Sequence, residues 1–321
     1  MPIVHGDVAH GHRDASQGSH SGDRGSRLGV KARGSTWGEP RQSVGAKQVR
    51  RELLENQSIE LLKTLHLVTR DGQLNADARR KLKQVNHFVG LLTPALDDAL
   101  ERFEKPLVVD VGSGNAYLGF ILYELFLKPR ENGELLNVES RDELTAKAKE
   151  RASALGFSRM QFETAQIAKG KYPEKIHVLT ALHACDTATD EAISVALEHK
   201  AEHIALVPCC QAEVAQQLKD ARPKVDSAMQ SLFSHPWHRR EFGSHLTNVI
   251  RALVLEANGY QVTVTELAGW EHSLKNELIL ARRTGQPNGI AKKRLESLLS
   301  STGVSPSKLP LPRGGEGRGE G

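Results

Sequence analysis

The stretch LVVDVGSGNAY, residues 107–117, decides how the rest of the chain is interpreted. It joins a short apolar run to a glycine-rich turn, and the helical segment YLGFILYELFL begins at its last residue. This order is typical of the first strand, turn and helix of an α/β fold, where ligands bind beyond the carboxyl end of the strand. Gly112 and Gly114 allow the backbone to turn tightly and to approach a ligand closely.

The same alternation of a short apolar run and a helical segment continues to residue 282. Strands separated by about 10 to 15 residues of helical pattern are joined by right-handed crossovers and form a mainly parallel sheet. We therefore expect an α/β fold with a doubly wound, mostly parallel sheet over 105–282. The later runs that indicate strands are ELLNVE, MQFE, IHVLTAL, HIALVP, YQVTVTEL and ELILARR.

Three segments flank this predicted domain. Apolar residues recur at helical spacing from 53 to 65 and from 82 to 92, which predicts an N-terminal helical cap over 47–104. Residues 1–46 hold nine Gly, six Ser and one aromatic residue, Trp37, so we expect a disordered basic arm there. Residues 283–321 contain SPSKLPLP and predict a Pro/Gly-rich basic tail, although IAKKRLESLLS favours a short amphipathic helix.

The basic charge of the chain is concentrated in these two end segments. They carry +2 and +4, which leaves −2 for residues 47–282 in a chain with a net charge of +4. The domain itself is therefore not predicted to have a basic groove. The end segments are interpreted either as arms that contact a polyanion or as solvated linkers.

Composition excludes several protein classes. The 321 residues are 39% hydrophobic and 26% charged, as in soluble globular proteins. Three cysteines, two of them adjacent, do not form a disulfide framework and favour a reducing cytoplasm. The longest apolar run, 117–127, is too short to span a membrane, and the N-terminus lacks the pattern of a signal peptide. We expect a cytoplasmic protein without membrane contact.

The glycine turn indicates a nucleoside rather than a nucleotide. A dinucleotide fingerprint would place its third glycine at Tyr117, and no phosphate-binding loop of the GxxxxGK type is present. Asp110 instead precedes the first glycine by two residues, where it can accept hydrogen bonds from a cationic or hydroxyl-bearing ligand. Glu139 ends the second predicted strand, where an acid can bind both hydroxyls of a ribose.

These residues resemble the class I S-adenosylmethionine-dependent methyltransferases over about 80–282. The segments ALHACDTATDEAI, VPCCQ and EHSLKN resemble a bacterial branch of methyltransferase-domain proteins of unassigned substrate, distantly similar to a tRNA 2′-O-methyltransferase family. The resemblance implies a seven-stranded sheet with an antiparallel last strand, and S-adenosyl-L-methionine as the cofactor. The cofactor-binding residues that it implies are Asp110, Gly112, Ser113, Gly114, Asn115, Glu139, Gln166 and His183.

Two features depart from the usual family pattern. The acid expected near the adenine amino group after the third strand is replaced by Ala165 and Gln166, whose amide can still accept a hydrogen bond. The N/D-P-P-Y/F motif, with which many such enzymes bind an exocyclic amino group, is absent after the fourth strand. Methylation of base or glutamine amino groups is therefore less supported.

Three residues are the predicted catalytic groups: Asp186, His183 and Lys275. The first two follow the fourth strand, where either can act as a base or orient the acceptor. The alternative is that Asp186 caps the following helix through its side chain and that His183 supports the loop. Lys275, in the loop between the last two strands, would pair with Asp186 to deprotonate a ribose hydroxyl.

The cysteines also raise the question of a zinc site. His183, Cys185, Cys209 and Cys210 lack the Glu of the H-x-E motif found in zinc deaminases, and adjacent cysteines do not easily bind one metal. We predict no metal. Cys209 and Cys210 then either shape the substrate wall or pack in the core.

Two further groups of residues are candidates for ligand contact. The first consists of Lys83, Asn86 and His87, one turn apart on a predicted helix. These residues cover the cofactor, contact an anionic substrate or form a solvated face. Trp237, His238, Arg239 and Arg240 form a basic aromatic cluster able to stack on a nucleobase.

The leading hypothesis from the sequence is an S-adenosylmethionine-dependent methyltransferase. Its methyl acceptor is unknown, and structured RNA is the candidate acceptor. The alternative is a noncatalytic module that binds nucleic acid or protein on a methyltransferase-like fold. A nicotinamide-dependent oxidoreductase is disfavoured because Tyr117 replaces the third fingerprint glycine.

Overall fold

The structure is a computed structural model of the chain. It describes residues 53–69, 71, 73–182, 184, 186–208, 212–221, 227–267 and 276–310, with only the backbone described at 221 and 227–229. The predicted arm at 1–46 lies outside these residues.

A seven-stranded sheet forms the centre of the described chain, in the order β3-β2-β1-β4-β5-β7-β6. Strands β1 to β5 pair in parallel, and β7 pairs antiparallel with both β5 and β6. The predicted doubly wound, mostly parallel sheet with an antiparallel last strand is confirmed. The strands are β1 Leu107–Val111, β2 Glu134–Glu139, β3 Met160–Thr164, β4 Val178–Leu182, β5 His203–Val207, β6 Tyr260–Glu266 and β7 Glu277–Arg283.

Helices cover both faces of the sheet, as expected for right-handed crossovers. A π-helical turn, Tyr123–Leu127, joins α3 to α4, and a 3₁₀ turn, Ile167–Lys169, follows β3. The α-helices are α1 Ile59–Thr64, α2 Ala76–Arg102, α3 Tyr117–Leu122, α4 Lys128–Arg130, α5 Asp142–Ala154, α6 Thr187–Glu198, α7 Glu213–Ala221, α8 Ser227–Phe233, α9 Pro236–Ala257 and α10 Gly289–Thr302.

Two helices precede the sheet, as the apolar spacing predicts. Asn75 caps α2 by accepting a 2.7 Å hydrogen bond from the amide of Ala78. The apolar stripe of α2, which includes Phe88, Leu92 and Leu96, is fully buried in the core on one face of the sheet. A second core, on the other face, is formed by α6, α9 and α10 with the sheet.

Helix α3 lies unusually close to β2, because Gly119 faces Asn137. A Cβ atom at Gly119 would overlap Asn137 Oδ1 and lie 3.2 Å from Leu135 Cδ2. The close contact between helix and strand that the third fingerprint glycine usually provides therefore occurs here two residues after Tyr117.

The segment after β7 begins with a helix that packs on the domain. Helix α10 contacts α9, and Leu295, Val304 and Leu309 are buried. The amphipathic helix predicted within 283–321 is thus present, while the domain boundaries themselves stay predictions. Among the helices in the described ranges, none has the length and apolar character that crossing a membrane requires.

Candidate cofactor and acceptor site

The glycine turn leaves β1 in a left-handed backbone conformation. Gly112 and Gly114 have φ of +64° and +56°, values that L-residues rarely adopt. A Cβ at Gly112 would lie 3.9 Å from Ile167 Cδ1 and 4.0 Å from Ala184 Cβ, so the turn lies between the loops that follow β3 and β4. Ser113 is half-buried in this turn and Asn115 is exposed.

Glu139 meets the glycine turn directly. The amide of Gly114 donates a 2.8 Å hydrogen bond to Glu139 Oε2, and Arg141 donates to Oε1 from its side chain at 2.9 Å and from its amide at 3.1 Å. Burial alone would raise the pKa of Glu139, but the hydrogen bonds from Arg141 and Gly114 outweigh it and lower the pKa. The carboxylate is thus ionised beside the turn, and its predicted role in ribose binding stays a prediction.

Asp110 lies below the turn in β1 and is almost fully buried. Thr180 Oγ1, on the neighbouring β4, donates a 2.8 Å hydrogen bond to its carboxylate. Burial raises the pKa of Asp110 to about 7, against the lowering effect of the Thr180 hydrogen bond. This side chain can therefore change its charge near neutral pH when a cation binds nearby.

Gln166 lies at the same edge of the sheet, directly before the 3₁₀ turn that follows β3. Its side chain is exposed, and the next residue, Ile167, is buried beside Gly112. The structure thus brings the ends of β1 and β2, which carry Asp110 and Glu139, to the same edge as Gln166. The roles of these residues in cofactor binding stay predictions.

Asp186 follows β4 with an unusual backbone, φ +50° and ψ −123°. The structural alternative, that it caps α6 through its side chain, is wrong, since no such hydrogen bond forms. Its Oδ1 instead accepts a 3.1 Å hydrogen bond from the amide of Ala212, in the loop after β5. The reason is the backbone turn, which directs the carboxylate away from the first amides of α6. Its catalytic role stays a prediction.

A buried network that is not predicted from the sequence holds the backbone of Asp186. Arg251, on α9, is fully buried; it donates to the Asp186 carbonyl at 2.9 Å, to Asp190 at 2.6 Å and to Asn248 at 3.0 Å. Asn248 in turn donates a 2.8 Å hydrogen bond to Glu277, the first residue of β7. The network therefore ties the loop after β4 to the start of β7.

Several predicted residues lie outside the described residues. They are His183, Cys185, Cys209, Cys210, Gln211 and Lys275. The prediction that the cysteines and His183 hold no metal is therefore not tested.

The residues predicted to form one row on α2 differ in their exposure to solvent. Lys83 is exposed, but Asn86 is buried and exchanges hydrogen bonds of 3.0 and 3.2 Å with Gln57. Both interpretations of the row, as a solvated face and as a ligand-facing surface, are therefore wrong for Asn86. Its side-chain amide instead connects α2 to the segment before α1.

The comparison with protein families gives the class of the domain. Residues 80–217 match a family model described as a methyltransferase domain, and this range contains β1 to β5, the glycine turn, Glu139 and Asp186. This match supports the methyltransferase class predicted for the domain and, with it, S-adenosylmethionine as the predicted cofactor. The bacterial branch and the likeness to tRNA 2′-O-methyltransferases stay predictions.

Longer curated proteins share this region. The chain is 25% identical over 232 residues to a glutathione S-transferase C-terminal domain-containing protein of Xenopus laevis, covering 65% of this chain and 35% of that protein. The Homo sapiens protein of the same name is 26% identical over 233 residues, covering 66% and 34%. The chain thus spans about a third of the length of these relatives.

Solved methyltransferase structures are also similar in part. The S-adenosylhomocysteine-bound methyltransferase PaMTH1 of Podospora anserina is 12% identical, with a TM-score of 0.41, over 78% of this chain and 99% of that one. An rRNA methylase from Streptococcus thermophilus is 12% identical, with a TM-score of 0.40, over 61% and 95%.

Proposed function

We propose that the protein transfers the methyl group of S-adenosylmethionine to a hydroxyl group of RNA. S-adenosylmethionine as the cofactor is supported mainly by the 2.8 Å hydrogen bond that the Gly114 amide donates to the Glu139 carboxylate. This hydrogen bond joins an ionised acid to a turn with two glycines, at the edge of the sheet where this fold binds ligands. Asp110, in the strand that leads into the same turn, is buried.

The residues at this edge fit a nucleoside that carries positive charge. Glu139 would accept hydrogen bonds from the ribose hydroxyls once the exposed side chain of Arg141 moves aside. Asp110 would balance the ammonium group of the methionine part, and the glycines leave room for close approach. When bound, the cofactor supplies an electrophilic methyl group on a sulfonium ion.

The acceptor half of the proposal rests on Asp186. Its carboxylate lies between the loops after β4 and β5 and is half-exposed, so it can accept a proton from an acceptor hydroxyl. Two features favour a ribose hydroxyl over an amino group. The N/D-P-P-Y/F motif is absent after the fourth strand, and 181–193 resembles a bacterial branch that is distantly similar to a tRNA 2′-O-methyltransferase family. Lys275, directly before Asn276 in sequence, would assist the deprotonation.

Calorimetric titration with S-adenosylhomocysteine tests the cofactor site. We expect one site in the wild-type protein and none in Gly112→Arg. Gly156→Arg is the matched control, because Gly156 also has a positive φ, +68°, but lies between α5 and β3 with open space around it. Binding that is lost equally in both variants, or absent from the wild type, contradicts the proposal.

Incubation with methyl-labelled cofactor and total cellular RNA tests the acceptor. We expect label in RNA, recovered as 2′-O-methylated nucleosides after digestion. Asp186→Asn keeps the hydrogen bond from Ala212 and should lower incorporation at least tenfold while leaving S-adenosylhomocysteine affinity unchanged. Label that enters protein or small molecules instead of RNA would overturn the acceptor assignment and leave the cofactor assignment intact.

A further inference from the structure

The first three turns of α9 extend beyond the sheet edge that carries the candidate site. Asn248 and Arg251 mark the level of this edge, because they bind the first residue of β7 and the backbone of the loop after β4. Since β7 runs antiparallel to β5, its first residue lies at the carboxyl end of β5. From 236 to 248, at 1.5 Å per residue, this part of the helix is about 18 Å long.

This overhang, defined as residues 235–247, presents a tryptophan to solvent. Trp237 is 62% exposed. It is the aromatic residue among the large, exposed hydrophobic residues that the structure describes. Its exposure means that it contributes little to the core, since an indole ring that stabilises a fold is normally mostly buried.

Trp237 is already paired with a guanidinium group. The Cζ atom of Arg240 lies 4.3 Å from the centre of the indole ring. Arg240 Nε also donates a 3.0 Å hydrogen bond to Glu241, which holds the guanidinium in place. Indole and guanidinium planes are the groups on which proteins stack unpaired nucleobases.

A second arginine and three histidines are further polar side chains of the overhang. Arg239 donates to the carbonyl of Phe233, the rings of His235 and His238 lie 5.4 Å apart, and the side chain of His245 is 60% exposed. With histidine taken as neutral, Arg239 and Arg240 against Glu241 give residues 235–247 a net charge of +1, in a domain region whose net charge is −2. This local excess complements a phosphate backbone.

We infer that the overhang is a stacking surface for the acceptor RNA, on which an unpaired base packs against Trp237 and Arg240 while the nearby cations contact its phosphates. This inference rests on the proposed function and names how the acceptor is recognised at the same site. A single-stranded or looped segment fits this surface better than a duplex, because only an unpaired base exposes its face for stacking.

The test compares RNA affinity of full-length variants. A fluorescein-labelled, single-stranded RNA of 20 nucleotides and mixed sequence serves as the probe, and anisotropy gives its Kd. We expect Trp237→Ala to weaken binding about tenfold, Trp237→Phe to retain most of the affinity, and the same RNA in a duplex to bind more weakly. Ile290→Ala is the matched control, since Ile290 is 66% exposed but belongs to α10, which follows the other end of β7.

The outcomes separate this inference from the proposed function. All variants should keep the wild-type thermal midpoint and the wild-type affinity for S-adenosylhomocysteine. If Trp237→Ala binds RNA no more weakly than Ile290→Ala, the stacking surface is disproved even where RNA is methylated. If the wild type binds S-adenosylhomocysteine but neither RNA probe, the inference fails and the cofactor site stands.

Discussion

Arg251 on α9 forms a 2.6 Å ion pair with Asp190 on α6, and both side chains are almost completely buried. The pair lies directly below the loop that presents Asp186, and Arg251 also holds the carbonyl of that residue. Burial raises the pKa of Asp190 against the attraction of the guanidinium. The pair therefore links the stability of the fold to the shape of the candidate acceptor site.

Replacing Arg251 by methionine should destabilise the protein by about 3–5 kcal/mol, because it leaves a buried carboxylate without its partner. Urea unfolding followed by circular dichroism measures this loss. The double variant Arg251→Met, Asp190→Leu removes both charges and should recover part of it. If the free energy of unfolding of Arg251→Met lies within about 1 kcal/mol of the wild-type value, the ion pair does not stabilise the protein.

The sheet could be predicted from the sequence because its determinants are local. Alternating apolar runs and helical segments predict the strands in order, and the carboxyl ends of parallel strands meet at one edge, which brings Gly114 and Glu139 together. Only the spacing within short segments is needed for that inference.

The network beneath Asp186 could not be predicted because its members are far apart in the chain. Asp190 and Arg251 are separated by 61 positions, and neither belongs to a short motif. The capping alternative for Asp186 fails for a related reason: Arg251, which is distant in sequence, donates a hydrogen bond to the backbone carbonyl of this residue. Asn86 was misplaced because helical periodicity alone does not show that Gln57 covers it.

Two helical glycines should respond to alanine in opposite directions. Gly119→Ala would force the new methyl group into Asn137 Oδ1, so we expect a loss of about 1–3 kcal/mol. Gly90→Ala, on the exposed side of α2 with open space around it, should stabilise by up to about 1 kcal/mol through helix propensity. Thermal unfolding of both variants gives the comparison, and equal shifts would contradict the close packing of α3 on β2.

Arg141 should compete with the cofactor for Glu139. Glu139→Ala removes the predicted ribose acceptor and should weaken S-adenosylhomocysteine binding at least tenfold. Arg141→Ala frees the same carboxylate from an exposed partner and should leave the affinity unchanged or slightly tighter, since such pairs contribute at most about 1 kcal/mol. Calorimetry distinguishes the two variants. A clear loss of affinity in Arg141→Ala would mean that Arg141 itself contacts the ligand.

Asp110 should make the stability of the unliganded protein depend on pH. Its pKa is raised to about 7 in the folded state, so folding favours the protonated carboxyl. The unfolded chain releases its proton near pH 4, and the free energy of unfolding therefore falls as pH rises from about 4 to 7. Above pH 7 the folded protein also carries the charge, and this contribution to the slope ends.

Asp110→Asn removes that titration, so it should stabilise the protein more at pH 8 than at pH 5. Urea unfolding of both proteins at several pH values measures the difference, which reaches at most roughly 4 kcal/mol for a shift of this size. The ammonium group of S-adenosylhomocysteine favours the ionised carboxylate if it binds beside Asp110, so saturating ligand should reduce the wild-type slope. A difference between the two proteins that stays constant from pH 5 to 8 would show that Asp110 is ionised throughout. A slope that ligand leaves unchanged would place the ammonium group elsewhere.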